Sequence, residues 1–195
     1  MAKLYFLYAP MNAGKSMQLL AKAYNFEERN IPIVLLKPKI DNRDGENIIK
    51  SRALKGRECI GLDKNTNIIK LIEEKMIKET VHFKWILVDE SQFLSRKQVN
   101  QLSDIVDNHN INVICYGLRT DFKSELFEGS KRLFEIADSI EELKCSCECG
   151  TKAIFNARFG ELGKILTNGE QIEIGGNDRY ISLCRKCYKE KLKEN

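Results

Sequence analysis

Short apolar runs separated by stretches of helical period fill the first two thirds of this chain. Leu4 to Tyr8 predicts a strand, Met17 to Arg29 a helix with Leu19, Leu20, Ala23 and Tyr24 on one face, and Ile31 to Lys37 a second strand. From Pro38 to about Leu62 the sequence is polar, contains glycine and shows no clear period, as expected of a functional loop. Thr66 to Lys78 returns to helical spacing, with Ile68, Ile69, Ile72 and Met76 sharing a face. Trp85 to Asp89 predicts a short buried strand. Ser95 and Gln98 then form a capping-box signature ahead of Val99, Leu102, Ile105 and Val106. Ile111 to Tyr116 reads as another strand, and Ser130 to Ala137 as a further short helix.

Strands alternating with helices predict an α/β fold with a mostly parallel sheet, its core ending near residue 142. The pattern changes from Lys144 onward. There the chain carries clustered cysteines, several glycines and no strong helical period, which predicts a small second lobe over residues 143–195 beside a core of residues 1–142.

Composition narrows the functional classes. A chain of 195 residues with 43% hydrophobic residues suits one ordinary core with a small appendage and excludes a disordered or collagen-like protein. Its longest apolar runs fall far short of the ~18 to 20 residues that span a bilayer, so no membrane partner is expected. The opening MAKLYFLYAP runs into a motif without a cleavage site and reads as a first strand, which predicts a cytoplasmic protein. The net charge of +4 is small and partly concentrated in the terminal RKCYKEKLKEN, read as a solvated last helix.

The first strand leads directly into Ala9, Pro10, Met11, Asn12, Ala13, Gly14, Lys15 and Ser16, and then into a helix. A phosphate loop needs such a turn, with amides facing an anion, a lysine for the outer phosphates and a hydroxyl for Mg²⁺. Ala9 stands where the consensus has glycine; as the smallest substitute it is expected to leave a working loop. WILVDE, residues 85 to 90, is an apolar strand ending in two carboxylates, the Walker-B arrangement that brings an acid to the metal from the end of a neighbouring strand. Asp89 is thus the candidate Mg²⁺ ligand. Glu90 is left free to take a proton, from water in an ATPase or from a substrate hydroxyl in a kinase.

Cys145, Cys147, Cys149, Cys184 and Cys187 cluster in the last third, while Cys59 and Cys115 stand alone. In a reducing compartment such clusters point to metal. Cys184 and Cys187 form a good zinc half-site, and the other half offers three thiols where a tetrahedral site needs two.

Taken together, APMNAGKS, PKIDNR, VDESQF, YGLRTDF, the cysteine cluster, IGGNDRY and CRKCY closely resemble the thymidine kinases of the bacterial and vertebrate cytosolic type, from about Leu4 to Tyr188. The resemblance implies a RecA-like P-loop core with a zinc-bearing lobe and a lasso-like loop, working as a homotetramer. It implies transfer of the γ-phosphoryl of ATP to the 5′-hydroxyl of thymidine, with Mg²⁺ and structural Zn²⁺. Asp89, Glu90, Ser91 and Gln92 match the family's D-E-x-Q element, with Glu90 as the base. Asp41 and Arg43 match its D-x-R, Arg43 being the extra cation.

Phe122 and Tyr180 match substrate-contacting aromatics, and Met11 and Leu118 match the pocket for the thymine methyl. Gln171, Ile172, Glu173, Ile174 and Gly175 match the loop that closes over the base. Relatives with the same surrounding pattern use C-x-C, which favours Cys147 and Cys149 with Cys184 and Cys187 and leaves Cys145 spare. The reading of another class is a RecA-like ATPase with a zinc ribbon acting on nucleic acid. It would want a concentrated basic face, and outside the last residues the sequence has none.

Overall fold

The computed structural model describes residues 1–160, 163–172 and 179–193. In chain order the elements are β1 (Leu4–Tyr8), α1 (Lys15–Glu27), β2 (Ile33–Pro38), β3 (Ile48–Ile49), β4 (Arg57–Glu58), β5 (Ile60–Leu62), α2 (Ile68–Glu79) and β6 (Trp85–Val88). Then follow α3 (Arg96–His109), β7 (Asn112–Gly117), α4 (Glu128–Ile136), β8 (Ser139–Glu142), β9 (Phe155–Arg158), β10 (Tyr180–Leu183) and α5 (Arg185–Lys193). Six strands form one sheet in the order β5-β2-β6-β7-β1-β8, and every pairing in it is parallel.

Side-chain alternation along these strands builds three layers. Leu4, Phe6, Val34, Leu36, Ile86, Val88, Val113 and Cys115 pack with the buried faces of α2, α3 and α4. Their neighbours Leu35, Leu87, Ile114 and Tyr116 pack on the other side with Leu19, Leu20 and Ala23 of α1. Cys115 is fully buried in this core, and burial pushes its thiol up; Cys59, half-buried, is pushed up to about 11 for the same reason. Both solitary cysteines are therefore protonated packing residues.

Several boundaries and faces differ from the sequence pattern. Tyr24 turns out to solvent at 57% exposure, because α1 buries Lys15, Leu19, Leu20 and Ala23 and so rotates its stripe away from Tyr24. The loop after Pro38 is partly ordered: β3 and β4 form a two-stranded ribbon, and β5 adds an edge strand to the main sheet. The sixth strand, β8, carries the exposed sequence Ser139–Glu142 and has no apolar signature. The Asp-Glu strand is not the neighbour of β1, since β7 lies between them. The two sites still meet, because all three strands end at one edge of a parallel sheet and β7 ends there in Gly117.

Beyond Glu142, β9 and β10 form an antiparallel hairpin. Ala157, Leu183, Cys147, Cys184 and Tyr188 pack into a cluster separate from the two core layers. Among the described residues no helix is long and apolar enough to cross a membrane.

The capping box at α3 is present in full: Ser95 Oγ accepts from Gln98 N–H at 3.3 Å, and Gln98 Oε1 accepts from Ser95 N–H at 3.1 Å. Ser95→Ala should therefore cost about 0.5–2 kcal/mol of stability. Urea unfolding measures this, and an unchanged midpoint would remove the cap from the account.

Candidate active site

The phosphate loop takes its shape from two left-handed residues, Asn12 (φ 59°) and Gly14 (φ 78°). Ala9 is not left-handed; it is fully buried, and its N–H reaches the Gly117 carbonyl at 3.2 Å. Alanine therefore fits where the consensus has glycine, and the left-handed positions fall further along the loop. Gly14 caps α1 without a side-chain hydrogen bond. The first-turn amides of α1 thus meet no competing side-chain cap, as an anion site requires. Lys15 is buried at 8% exposure and donates from Nζ to the Pro10 carbonyl at 2.8 Å. Burial lowers the affinity of this ammonium for its proton, and the charges of Glu90 and Asp89 counter the effect.

Ser16, Asp41, Arg43, Asp89 and Glu90 line one cleft at the carboxyl edge of the sheet. Asp89 is 3% exposed, and its carboxyl is pushed up to about 7, first by burial and then by the charge of Glu90. A hydrogen bond from Ser16, the Glu90 N–H and the charge of Lys15 oppose that shift. Glu90 sits in the left-handed region (φ 49°), an uncommon conformation for a non-glycine residue. Its two carboxylate oxygens are held from opposite sides. Arg43 Nη2 donates to Oε1 at 3.0 Å and Gln92 Nε2 donates to Oε2, while Arg43 Nε is 2.6 Å from Asp41 Oδ1. Gln92 is anchored in turn, its Oε1 accepting from Leu118 N–H at 3.0 Å.

The sequence reading missed Lys37. This lysine lies within an otherwise apolar strand, is 2% exposed, and donates to the carbonyls of Gly45 and Ile48 at 2.9 Å each. It also lies 3.7 Å from Asp41, so one buried ammonium ties the Asp41–Arg43 loop to the sheet. A charge inside an apolar run was the signal that could have found it.

On the other side of the phosphate loop, Leu118 and Phe122 are buried. One face of the Phe122 ring is covered by the Arg158 guanidinium, 3.9 Å from the ring centroid, and its carbonyl accepts from Tyr188 Oη at 3.0 Å. Gln171 Nε2 donates to Asp121 Oδ2 at 3.0 Å, Ile172 is exposed and Tyr180 half-buried. Glu173, Ile174 and Gly175 lie outside the described residues.

Cys147, Cys149, Cys184 and Cys187 come together with their sulfurs all within 4.8 Å of one another. The Cys149 and Cys184 sulfurs are 3.7 Å apart. Tetrahedral zinc with Zn–S of about 2.3 Å places its sulfurs roughly 3.8 Å apart, so the donor set suits that ion. The Cys187 N–H draws the Cys184 thiol down to about 6, whereas hydrogen bonds with Cys149 and Cys184 push the Cys187 thiol up. Cys145 stands outside this foursome, its thiol directed at the Ser146 carbonyl.

A strand entering a helix through Gly-Lys-Ser, facing an Asp-Glu strand end across one intervening strand, defines an α/β protein of the P-loop class. The family model for thymidine kinase matches residues 2–188. A thymidine kinase of Haemophilus influenzae is 51% identical over 98% of this chain and 98% of its own length. Those of Mannheimia succiniciproducens (49% identical, 98% of this chain and 97% of its own) and Zymomonas mobilis (48%, 98% of each) are similar. The chain belongs to the thymidine kinase family.

Gly117 lets Ser91 and Gln92 fold over the end of β7. A Cβ there would lie 2.6 Å from Ser91 Oγ and 2.9 Å from Gln92 Oε1. Gly117→Ala should destabilise the fold by about 1–3 kcal/mol and displace Gln92 from Glu90. Denaturant unfolding checks this, and wild-type stability would show that the turn has slack.

Proposed function

We propose that this protein transfers the γ-phosphoryl of ATP to the 5′-hydroxyl of thymidine, giving dTMP and ADP. The observation that carries this reading is Glu90, clamped at both carboxylate oxygens beside the phosphate loop in a chain of the thymidine kinase family. On this reading Glu90 takes the proton of the 5′-hydroxyl. That oxygen forms a bond to the γ-phosphorus as the bond to the β–γ bridging oxygen breaks, and ADP leaves.

The phosphate-loop residues Ala9 to Ser16 cradle the phosphates, with Lys15 as the fixed cation. Arg43 already sits between Asp41 and Glu90, where arriving phosphate oxygens give it a further anionic partner. Ser16 and Asp89 supply hard oxygen donors suited to Mg²⁺, and a cation beside Asp89 would offset the cost of burying its charge. When bound, the ion neutralises charge on the phosphates. Gln92 fixes Glu90 and the start of the loop after β7.

By the family resemblance the base lies against Phe122 with Met11 and Leu118 around its methyl group, and Gln171, Ile172 and Tyr180 contribute to its binding. Main-chain groups reading the N3–H and carbonyl edge would reject cytosine by leaving buried polar groups unpaired. Cys147, Cys149, Cys184 and Cys187 would hold one structural Zn²⁺, a four-sulfur donor set that would leave no open position for catalysis. The family resemblance supports a division into a core of residues 1–142 and a zinc-bearing lobe of 143–195, and a homotetramer in the cytoplasm.

With ATP and Mg²⁺, thymidine should be phosphorylated in preference to deoxycytidine and the purine deoxynucleosides. ATP hydrolysis stimulated by single-stranded DNA, without nucleoside phosphorylation, would favour the nucleic-acid ATPase instead. Glu90→Gln should keep ATP binding and lower kcat by about 10²-fold or more; full activity would remove Glu90 from its role. Native mass spectrometry should find about one Zn²⁺ per chain, and a stably folded zinc-free chain would contradict the proposed lobe.

A further inference from the structure

Strand β1 and helix α1 are not the only supports of the phosphate loop. Both backbone groups of Met11 are taken by side chains of the β9–β10 hairpin. The Met11 N–H donates to Asn156 Oδ1 at 2.7 Å, and the Met11 carbonyl accepts from Ser182 Oγ at 2.6 Å. Asn156 and Ser182 are both buried and are cross-strand partners in the hairpin register. Together they present one acceptor and one donor at a fixed spacing. The Asn156 amide nitrogen donates to the Thr120 carbonyl at 2.8 Å, which keeps its oxygen turned toward Met11.

We propose that Asn156 and Ser182 are positioning residues for ATP: through Met11 the hairpin sets the shape of the phosphate loop and the seat of Lys15. Met11 lies between two features that need outside support. On one side is Asn12, a non-glycine residue in the left-handed region, a conformation that persists where the surroundings over-determine it. On the other is the Pro10 carbonyl, which accepts from the Lys15 ammonium. Releasing Met11 would loosen both at once. The nucleoside-side lobe thereby acts on the triphosphate without touching it. This inference rests on reading the loop as the ATP site.

Ser182→Ala removes one hydroxyl and little volume. It should weaken binding of Mg²⁺-ATP, titrated calorimetrically without nucleoside, by about three- to tenfold, as expected for a lost buried hydrogen bond. Ser182→Thr, which keeps the hydroxyl, should restore affinity, and thermal unfolding of both variants shows that the chain is folded. Tyr188→Phe cuts a different bond from the lobe to the core, the one to the Phe122 carbonyl. It should raise KM for thymidine while ATP affinity stays close to wild type. Wild-type ATP affinity in Ser182→Ala, no rescue by threonine, or equal weakening by Tyr188→Phe would each overturn the proposal. ATP binding without thymidine phosphorylation would instead count against the proposed reaction and leave the positioning role standing.

Discussion

Charges of both signs are buried together at the carboxyl edge of the sheet, and the local structure is arranged around keeping them matched. Removing one partner of such a buried pair typically costs about 3–5 kcal/mol, far more than a surface ion pair contributes. Lys15 is matched by the Pro10 carbonyl and by attraction to Glu90 and Asp89. Lys37 is matched by two carbonyls and Asp41. Asp89 has Ser16 and the Glu90 N–H, and Glu90 has Arg43 and Gln92. The left-handed backbone at Glu90 and the bare Gly117 beneath it follow from the same requirement, since a side chain at Gly117 would push Gln92 off its partner.

A set of matched charges is useful for phosphoryl transfer because it is already ordered before substrate arrives. The reaction needs charge neutralisation and alignment more than covalent assistance. Arg43 and Gln92 fix the proposed base in place, and Lys37 fixes the loop that carries Arg43. Little reorganisation is then left for the moment of reaction. The price is a carboxyl at Asp89 that burial drives toward neutrality, a state that a bound cation would reverse.

The sequence was most informative where one residue type has one physical job. The alternating strands, the Gly-Lys-Ser turn, the Asp-Glu strand end, the Ser95–Gln98 box and the paired cysteines could all be read locally. Positions set by long-range packing were not. Strand β8 exposes Ser139, Ile140 and Glu141, buries no residue fully and is defined by pairing with β1. The rotation of α1 that exposes Tyr24, and the interposition of β7 between the two phosphate-site strands, are decided by how the sheet assembles. Asn156 and Ser182 are ordinary polar residues in an unremarkable stretch. Their importance lies in partners 145 and 171 residues away in the chain.

Those separations bear on how the protein folds. Strand β1 precedes both of its sheet neighbours, β7 and β8, in the chain, with Leu4 pairing with Val113 and Tyr5 with Ser139. Long-range parallel pairing of this kind is slow and leaves apolar edges open in the meantime. The phosphate loop waits longer still, because the hydroxyl that holds the Met11 carbonyl is at position 182. The nucleotide motif and the hydroxyl that holds its backbone thus lie 171 residues apart, so the loop is held by tertiary packing as well as by its own turn.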